Sequence, residues 1–187
     1  MIGFACCGSF CTLSKAMEQM GILARKYEIL PIVSPAVAGT DTRFGKAKDL
    51  LLLMEAITGR RPIMTIPEAE PLGPARPLEA LVIAPCTGNT LAKLANGITD
   101  TSVTMAAKAH LRGGRPLVIA FASNDGLSGN LKNIGALMVR KQVYFVPLGQ
   151  DEPISKPSSL VCDFGAIPDT LALAMEGKQI QPLLLRG

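Results

Sequence analysis

The sequence predicts a single α/β domain with a doubly wound parallel sheet over residues 1–187. Two observations carry this prediction. Apolar runs of about four to eight residues alternate with segments of helical period, which is the pattern of a parallel sheet covered by helices. The 187 residues are 48% hydrophobic and only 18% charged, and the mean hydropathy is +0.31. This composition excludes a disordered chain and favours a large core and an oligomer.

The apolar runs place the strands, and the helical segments place the helices between them. Strands are predicted at residues 2–7, 27–33, 63–66, 78–84, 117–122 and 143–146. Helices are predicted at residues 13–24, 43–58, 90–96, 101–111, 131–140 and 167–176. The proline-rich stretch 62–77 is predicted to be a short strand followed by an extended surface crossover. Within the C-terminal segment 177–187, the apolar residues 179–185 are predicted to pack on a neighbouring subunit.

Charge and composition limit the kinds of function that this chain is expected to have. The chain carries 19 Lys and Arg against 15 Asp and Glu, but the basic residues are scattered and aromatic residues make up only 4%. This does not favour nucleic-acid binding. The sequence shows neither the roughly 18 uninterrupted apolar residues of a membrane span nor a signal peptide, so we expect a cytoplasmic protein. Its five Cys and single His predict free thiols and no metal site.

The predicted ligand site lies where the strands end, because open parallel sheets bind ligands beyond the carboxyl ends of their strands. We call the segments that follow these ends loop 1 (residues 7–12), loop 2 (34–36), loop 3 (85–90) and loop 4 (123–126). All four are rich in Gly, Ser, Thr and Asn, which leave backbone amides free to hold a phosphate or a heteroaromatic ring. The sequence has neither the spaced-glycine fingerprint of dinucleotide folds nor a phosphate-binding GxxxxGK[ST] loop.

Each loop also has a purely structural interpretation. Gly8 and Ser9 fit an ordinary strand-to-helix turn with Thr12 as a helix cap, and Ser34 is more simply a cap than a ligand. A ligand role is favoured for loop 3, around Asn89. There, consecutive small polar residues between a buried strand and a helix cost stability unless their amides are used.

The candidate catalytic residues are Cys86, Arg43 and Lys108. Cys86 lies near a predicted helix N-terminus, which would lower the pKa of its thiol, although no general base adjoins it in the sequence. Arg43 could hold a substrate carboxylate in a bidentate fork. The equally supported alternative for that segment is that Asp41 caps the second helix. Lys108 is either a carboxylate ligand or a solvated charge, and His110 is interpreted as structural or exposed.

Loop 3 resembles a known signature. Its residues read Pro-Cys-Thr-Gly-Asn-Thr, similar to the Pro-Ala-Ser-Ala-Asn-Thr motif of flavoproteins related to the flavin-dependent cysteine decarboxylases. More closely, the sequence resembles the family of bacterial dipicolinate synthase B subunits, and this similarity spans almost the full length. It rests on residues 2–9, 40–45, 68–73, 105–109, 144–151 and 177–179.

This resemblance implies a flavodoxin-like, Rossmann-like fold that forms trimers or multiples of trimers, with an FMN site at an interface between copies of the chain. The implied activity is the last step of dipicolinate formation in sporulating bacteria, in which a dihydrodipicolinate precursor loses two hydrogens. The implied partner is the A subunit of dipicolinate synthase, which would carry the NAD(P)-binding fold. By similarity, the FMN site would be lined by residues of all four loops: Gly8, Ser9, Ser34, Pro85, Cys86, Thr87, Gly88, Asn89, Thr90, Ser123 and Asn124.

The sequence departs from the family in two places. The related decarboxylases use a catalytic His and a Met-Asn pair, whereas here Met105 is followed by Ala106 and the chain has a single His. In and beside loop 1, Cys7, Phe10 and Leu13 stand where the family's members more usually carry polar groups. Three hypotheses follow, in order of preference. They are an oxidoreductase subunit that acts with the A subunit, a non-catalytic scaffold subunit, and a stand-alone flavin-dependent decarboxylase or prenyl-transfer enzyme.

Overall fold

A computed structural model describes residues 1–73, 75 and 78–185. At its centre, five parallel strands lie in the order β2-β1-β3-β4-β5. This order confirms the predicted doubly wound α/β sheet. The inner strands are buried on both faces, which explains why they read as continuous apolar runs. The strands are β1 (Ile2–Cys6), β2 (Ile29–Val33), β3 (Ala80–Cys86), β4 (Leu117–Ser123) and β5 (Val143–Phe145).

The helices form a layer on each face of the sheet. In one layer α1 packs against α3 and α8, and in the other α5 packs against α6 and α7. Left-handed glycines end two of them, Gly59 after α3 and Gly97 after α5. None of the helices in the described ranges is long and apolar enough to cross a membrane. The helices are α1 (Leu13–Ala24), α2 (Pro35–Gly39), α3 (Ala47–Thr58), α4 (Ile66–Ala69), α5 (Gly88–Asn96), α6 (Ser102–Arg112), α7 (Leu131–Met138) and α8 (Ile167–Met175).

The predicted strand at residues 63–66 is wrong. Only Ile63 bridges to β2, because Thr65 and Glu68 form a capping box that starts α4 at Ile66. The predicted extended crossover therefore contains a helical turn, followed by a 3-10 turn at Glu70–Leu72. The crossover residues 74, 76 and 77 lie outside the described residues.

The predicted start of the second helix at residue 43 is also wrong. Residues 42–45 form a tight turn in which the amide and carbonyl groups of Thr42 and Gly45 bond each other at 3.0 and 3.1 Å. The helix α3 therefore begins four residues later, at Ala47. The short α2 was not predicted.

Two further strands extend the sheet past the carboxyl end of β4. They are β6 (Leu148–Gly149) and β7 (Leu160–Cys162), and β7 pairs antiparallel with both β4 and β6. Neither strand was predicted, because each depends on antiparallel pairing with strands that are distant in the sequence.

The C-terminal tail, predicted to pack on a neighbouring subunit, pairs with this chain's own sheet. The Leu148 amide donates to the Leu183 carbonyl at 2.8 Å, and the Leu185 amide donates to the Leu148 carbonyl at 2.8 Å. The Gln179 side chain accepts from the Phe145 amide at 2.9 Å and donates to the Phe145 carbonyl at 2.7 Å. The tail therefore occupies the outer edges of both β5 and β6.

Candidate functional site

Loops 1, 2 and 3 meet at the carboxyl edge of the parallel sheet. Loop 1 contacts loop 3, because the Cys7 amide donates to the Pro85 carbonyl at 3.1 Å and the Thr90 hydroxyl donates to the Cys7 sulfur at 3.3 Å. Loop 2 joins them through the Ser34 amide, which donates to the Cys6 carbonyl at 3.0 Å. These loops follow β1, β2 and β3, which are adjacent in the sheet, so they form one continuous surface.

Loop 4 completes this surface by packing against Gly88, the first residue of α5. A Cβ added to Gly88 would lie 2.4 Å from the Asn130 side-chain nitrogen and 2.8 Å from Ser123 Oγ. Asp125 fixes the positions of both of these side chains. The Ser123 hydroxyl donates to Asp125 Oδ1, and the side-chain amide of Asn130 donates to both carboxylate oxygens of Asp125 at 2.9 Å. These hydrogen bonds lower the pKa of Asp125, and the bond from Ser123 has the largest effect. The Asp125 carboxylate is therefore ionised at neutral pH.

Loop 1 presents backbone amides without acceptors. The amides of Gly8, Phe10 and Cys11 donate to no acceptor within residues 1–73, 75 and 78–185. Thr12 takes the predicted N-cap position of α1, but its side chain makes no capping bond to the helix. Its hydroxyl donates instead to the Ser9 carbonyl at 3.0 Å and the Ser9 hydroxyl at 2.9 Å. Unpaired amides at the start of a helix favour an anion such as a phosphate.

Ser34 and Thr87 act as helix caps. Ser34 Oγ accepts from the Val37 amide of α2 at 3.4 Å, and Thr87 Oγ1 accepts from the Thr90 amide of α5 at 3.2 Å. The capping interpretation of Ser34 is confirmed, and its ligand role stays a prediction. The Gly88 and Asn89 amides donate to no acceptor among the described residues. The exposed Asn89 lines a cleft of about 470 Å³ between α5 and α7.

Four thiols are buried, those of Cys6, Cys7, Cys86 and Cys162, while Cys11 is exposed on loop 1. The predicted lowering of the Cys86 pKa is wrong. Cys86 is the last residue of β3, and burial, with added effects of Cys7 and Cys162, raises its pKa well above the ordinary value. Burial likewise raises the pKa of Cys7 to about 11. Both thiols are therefore protonated at neutral pH and are not activated nucleophiles.

Two of the predicted catalytic candidates do not lie in the four loops. Arg43 is exposed, with its guanidinium 4.8 Å from the centre of the Phe44 ring. In the same segment Asp41 accepts from the Ala47 amide at 2.9 Å, which confirms the capping alternative for Asp41. Lys108 is exposed on α6, six residues and about 9 Å along the helix axis from its start.

His110 is structural. It is fully buried, and its Nε2 lies 2.9 Å from the Pro116 carbonyl oxygen. Burial lowers the pKa of His110, so the neutral ring donates from Nε2 to that carbonyl. Within the described residues, no group of three His, Cys, Asp or Glu side chains is placed to hold a metal ion.

Sequence reasoning missed most of the polar cluster behind Gly88. It selected Ser123 and Asn124, placed Asp125 in loop 4 without a role, and did not select Asn130 or Asn133. Asn130 and Asn133 are buried and hydrogen-bonded to each other at 2.9 Å. The local signal was the run of Asp, Gly, Ser and Asn at residues 125–130, which is typical of a turn in which side chains satisfy the backbone.

Comparison with known protein families shows the class of protein to which this chain belongs. A model of the Flavoprotein family matches residues 2–175 of this chain. The chain therefore belongs to the Flavoprotein family.

The comparisons also identify particular relatives. The dipicolinate synthase B subunit of Bacillus subtilis is 43% identical over 187 residues, which span all of this chain and 94% of the relative. The crystal structure of the dipicolinate synthase B subunit from Bacillus halodurans is 42% identical, with a TM-score of 0.91 over 99% of this chain and 95% of that one. The FMN-dependent cysteine decarboxylase SpaF is 25% identical, with a TM-score of 0.68 over 92% and 95%. The predicted resemblance to dipicolinate synthase B subunits is confirmed.

Proposed function

We propose that this chain is the B subunit of a dipicolinate synthase and holds FMN at the carboxyl edge of its sheet. The full-length identity of 43% to such a subunit supports the first part. Membership of the Flavoprotein family and the likeness to an FMN-dependent enzyme support the second. In this proposal the protein works in the cytoplasm of a sporulating bacterium beside an A subunit that binds NAD(P). Together they oxidise a dihydrodipicolinate precursor to dipicolinate.

The unpaired amides of loop 1 are the observation that carries the flavin proposal. Gly8, Phe10 and Cys11 offer three N–H groups at the entry to α1, which suits the phosphate of FMN. The ionised Asp125 lies beside Gly88 at the start of α5 and would repel a phosphate there. We therefore assign the phosphate to loop 1 and the ring to loops 3 and 4, where Asn89 is exposed. When bound, FMN supplies an acceptor for a hydride.

The role of the chain itself is to orient the hydride donor against the acceptor. Aromatisation of a dihydro ring provides its own driving force, so the reaction needs a donor held against an acceptor more than it needs an acid or a base. The buried, protonated Cys7 and Cys86 add no charge beneath the loops. This suits a site that binds a planar ring and does not form a covalent thiol intermediate.

The proposal includes assembly into a homo-oligomer, either a trimer or a multiple of trimers. The surface of α7 exposes Leu131 at 51%, Met138 at 38% and the adjoining Val139 at 84%. Grouped apolar side chains of this kind favour a contact between copies of the chain. Sedimentation of the purified chain measures the assembly directly, and Val139→Glu is expected to reduce its size if α7 forms the contact.

Titration of the purified chain with FMN, followed by quenching of flavin fluorescence, tests the proposed site. We expect saturable binding that Asn89→Ala weakens about tenfold, because a hydrogen bond to the bound ring is lost. The control is Gln150→Ala, at an exposed position outside the four loops and the cleft, where the side chain donates to the Pro157 carbonyl at 2.9 Å. A folded chain that binds no FMN would contradict the flavin proposal.

A second candidate function is that of a scaffold that stabilises the A subunit without binding flavin. It is favoured by the apolar or thiol-bearing side chains of Cys7, Phe10 and Leu13 in and beside loop 1. In this case, complexes assembled with the Asn89→Ala chain would be fully active. A large loss of activity in an intact complex would exclude the scaffold role.

A further inference from the structure

A second concave feature adjoins loop 1 and shares Phe10 with it. It is a cavity of about 310 Å³ between α1 and α3, bordered by the turn that precedes α3. This volume is at the lower end for small-molecule sites, so it suits a ligand with a single ring. Its walls are mostly apolar and include Phe10, Leu13, Met17, Phe44, Leu50 and Leu53.

One cation lies on the rim of this cavity. Lys46, the residue before α3, lines the cavity and makes no ion pair within the part of the chain that the structure describes. Arg43 lies over the Phe44 ring at the same turn. The neighbouring carboxylate of Asp41 is already bonded to the Ala47 amide. A ligand carboxylate at this rim would thus find Lys46 without an ion-pair partner among the described residues.

One carboxylate faces the same cavity. Asp49, one turn into α3, is among the lining residues and forms no ion pair in the described ranges. An ionised carboxylate only accepts hydrogen bonds, so Asp49 favours a ligand that also has an N–H group. The cavity therefore combines aromatic surface, a cation and an acceptor.

We propose that this cavity binds a planar heterocyclic carboxylate of the pyridine-dicarboxylate class. This inference rests on the proposed function, since the product and the precursor of that reaction belong to this class. Phe10 and Phe44 supply aromatic surface for a planar ring, Lys46 pairs with a carboxylate, and Asp49 accepts from the ring N–H of a dihydro form. Because Phe10 belongs both to loop 1 and to this cavity, the ligand lies beside the proposed flavin site.

The binding of this ligand class to the cavity can be tested with one tryptophan as a fluorescent reporter. The chain has no Trp and Phe44 is 55% exposed, so Phe44→Trp places one fluorophore at the cavity while keeping an aromatic ring there. With excitation at about 295 nm, titration with dipicolinate in metal-free buffer is expected to quench this Trp saturably. Dipicolinate has no ring N–H for Asp49, so this binding depends on the aromatic surface and on Lys46. Ile154→Trp, on a side chain that is 99% exposed and outside the cavity, is the control and should not respond. Equal responses of both reporters would overturn the proposal.

Substitutions of single lysines test where the carboxylate of the ligand binds. In the Phe44→Trp chain, Lys46→Ala is expected to raise the dissociation constant for dipicolinate about fivefold, the value of a solvent-exposed ion pair. Lys48→Ala, an exposed lysine on the same helix that does not line the cavity, should leave it unchanged. Equal effects of the two variants would overturn the role of Lys46.

A second measurement avoids the substitution of Phe44. Met17 lines the cavity, so the ¹³C-methyl NMR signal of Met17 in the unsubstituted chain, assigned with Met17→Leu, is expected to shift on addition of dipicolinate. An unchanged Met17 signal and an unquenched Trp in a chain that still binds FMN would overturn this inference and leave the proposed function intact. Dipicolinate binding in a chain that does not bind FMN would instead support the cavity and remove the flavin proposal.

Discussion

Gly88→Ala is expected to destabilise the protein, because loop 4 occupies the space of the missing side chain. The new Cβ would lie 2.4 Å from Asn130 Nδ2, 2.8 Å from Ser123 Oγ and 2.9 Å from Asp125 Oδ1. Ordinary contacts begin at about 3.4 Å, so these atoms would have to retreat by about 0.5 to 1 Å. This displacement breaks bonds to the Asp125 carboxylate and strains the loop, at a cost of about 2 to 3 kcal/mol.

The helix itself offsets part of that cost. Alanine in a helix is about 0.5 to 1 kcal/mol more favourable than glycine, so the net loss in free energy of unfolding is about 1 to 2.5 kcal/mol. Urea unfolding followed by circular dichroism measures it. Gly21→Ala in α1 is the matched control, since its added Cβ meets no atom within 4 Å, and this variant should be more stable by about 0.5 to 1 kcal/mol. A stabilised Gly88→Ala chain would refute the close packing of loop 4 on loop 3.

Further predictions concern a helix end, the thiols and pH. Arg140→Ala removes bonds to the Leu94 and Ala95 carbonyls at the end of α5 and is expected to cost about 1 kcal/mol in free energy of unfolding. Lys141→Ala, at the neighbouring exposed position, should cost less than about 0.5 kcal/mol, and equal losses would disprove the capping role. A thiol reagent is expected to label only Cys11 in the native chain and all five Cys after unfolding; rapid native labelling of a second Cys would contradict the burial. Because the pKa of His110 is lowered from 6.5 in the folded state, the unfolded chain binds more protons below that pH, and stability should fall as pH falls below about 6.5. His110→Gln should flatten the dependence of the urea midpoint on pH below about pH 6.5, and an unchanged profile would exclude His110 as the source.

The sheet could be predicted because its strands are long enough and sufficiently buried to leave a pattern. The strands β1, β3 and β4 are buried over almost their whole length, so each is a run of apolar residues. The start of α4 could not be predicted from apolar residues, since the Thr65 capping box overrides the β-prone residues around it. The short β6 and β7 depend on pairing with β4 and with each other, which is not a local property.

The candidate site was predictable as a place but not as a set of interactions. The strand order brings the loops together, and each loop could be located from the end of its strand. The contact of Gly88 with Asn130 joins residues 42 positions apart, and no local pattern reveals it. The pKa of Cys86 was predicted with the wrong sign because its local sequence places it near a helix start, whereas its burial depends on the surrounding strands.

The C-terminal tail protects the sheet from unwanted association. An edge strand with free amides and carbonyls is a template for pairing with another chain, and proteins prevent this by covering or charging such edges. Here the Gln179 side chain satisfies the outward amide and carbonyl of Phe145, and the backbone of Leu183 and Leu185 satisfies Leu148. A chain truncated before Gln179 would keep its folded core but expose these groups, and is therefore expected to aggregate through strand addition.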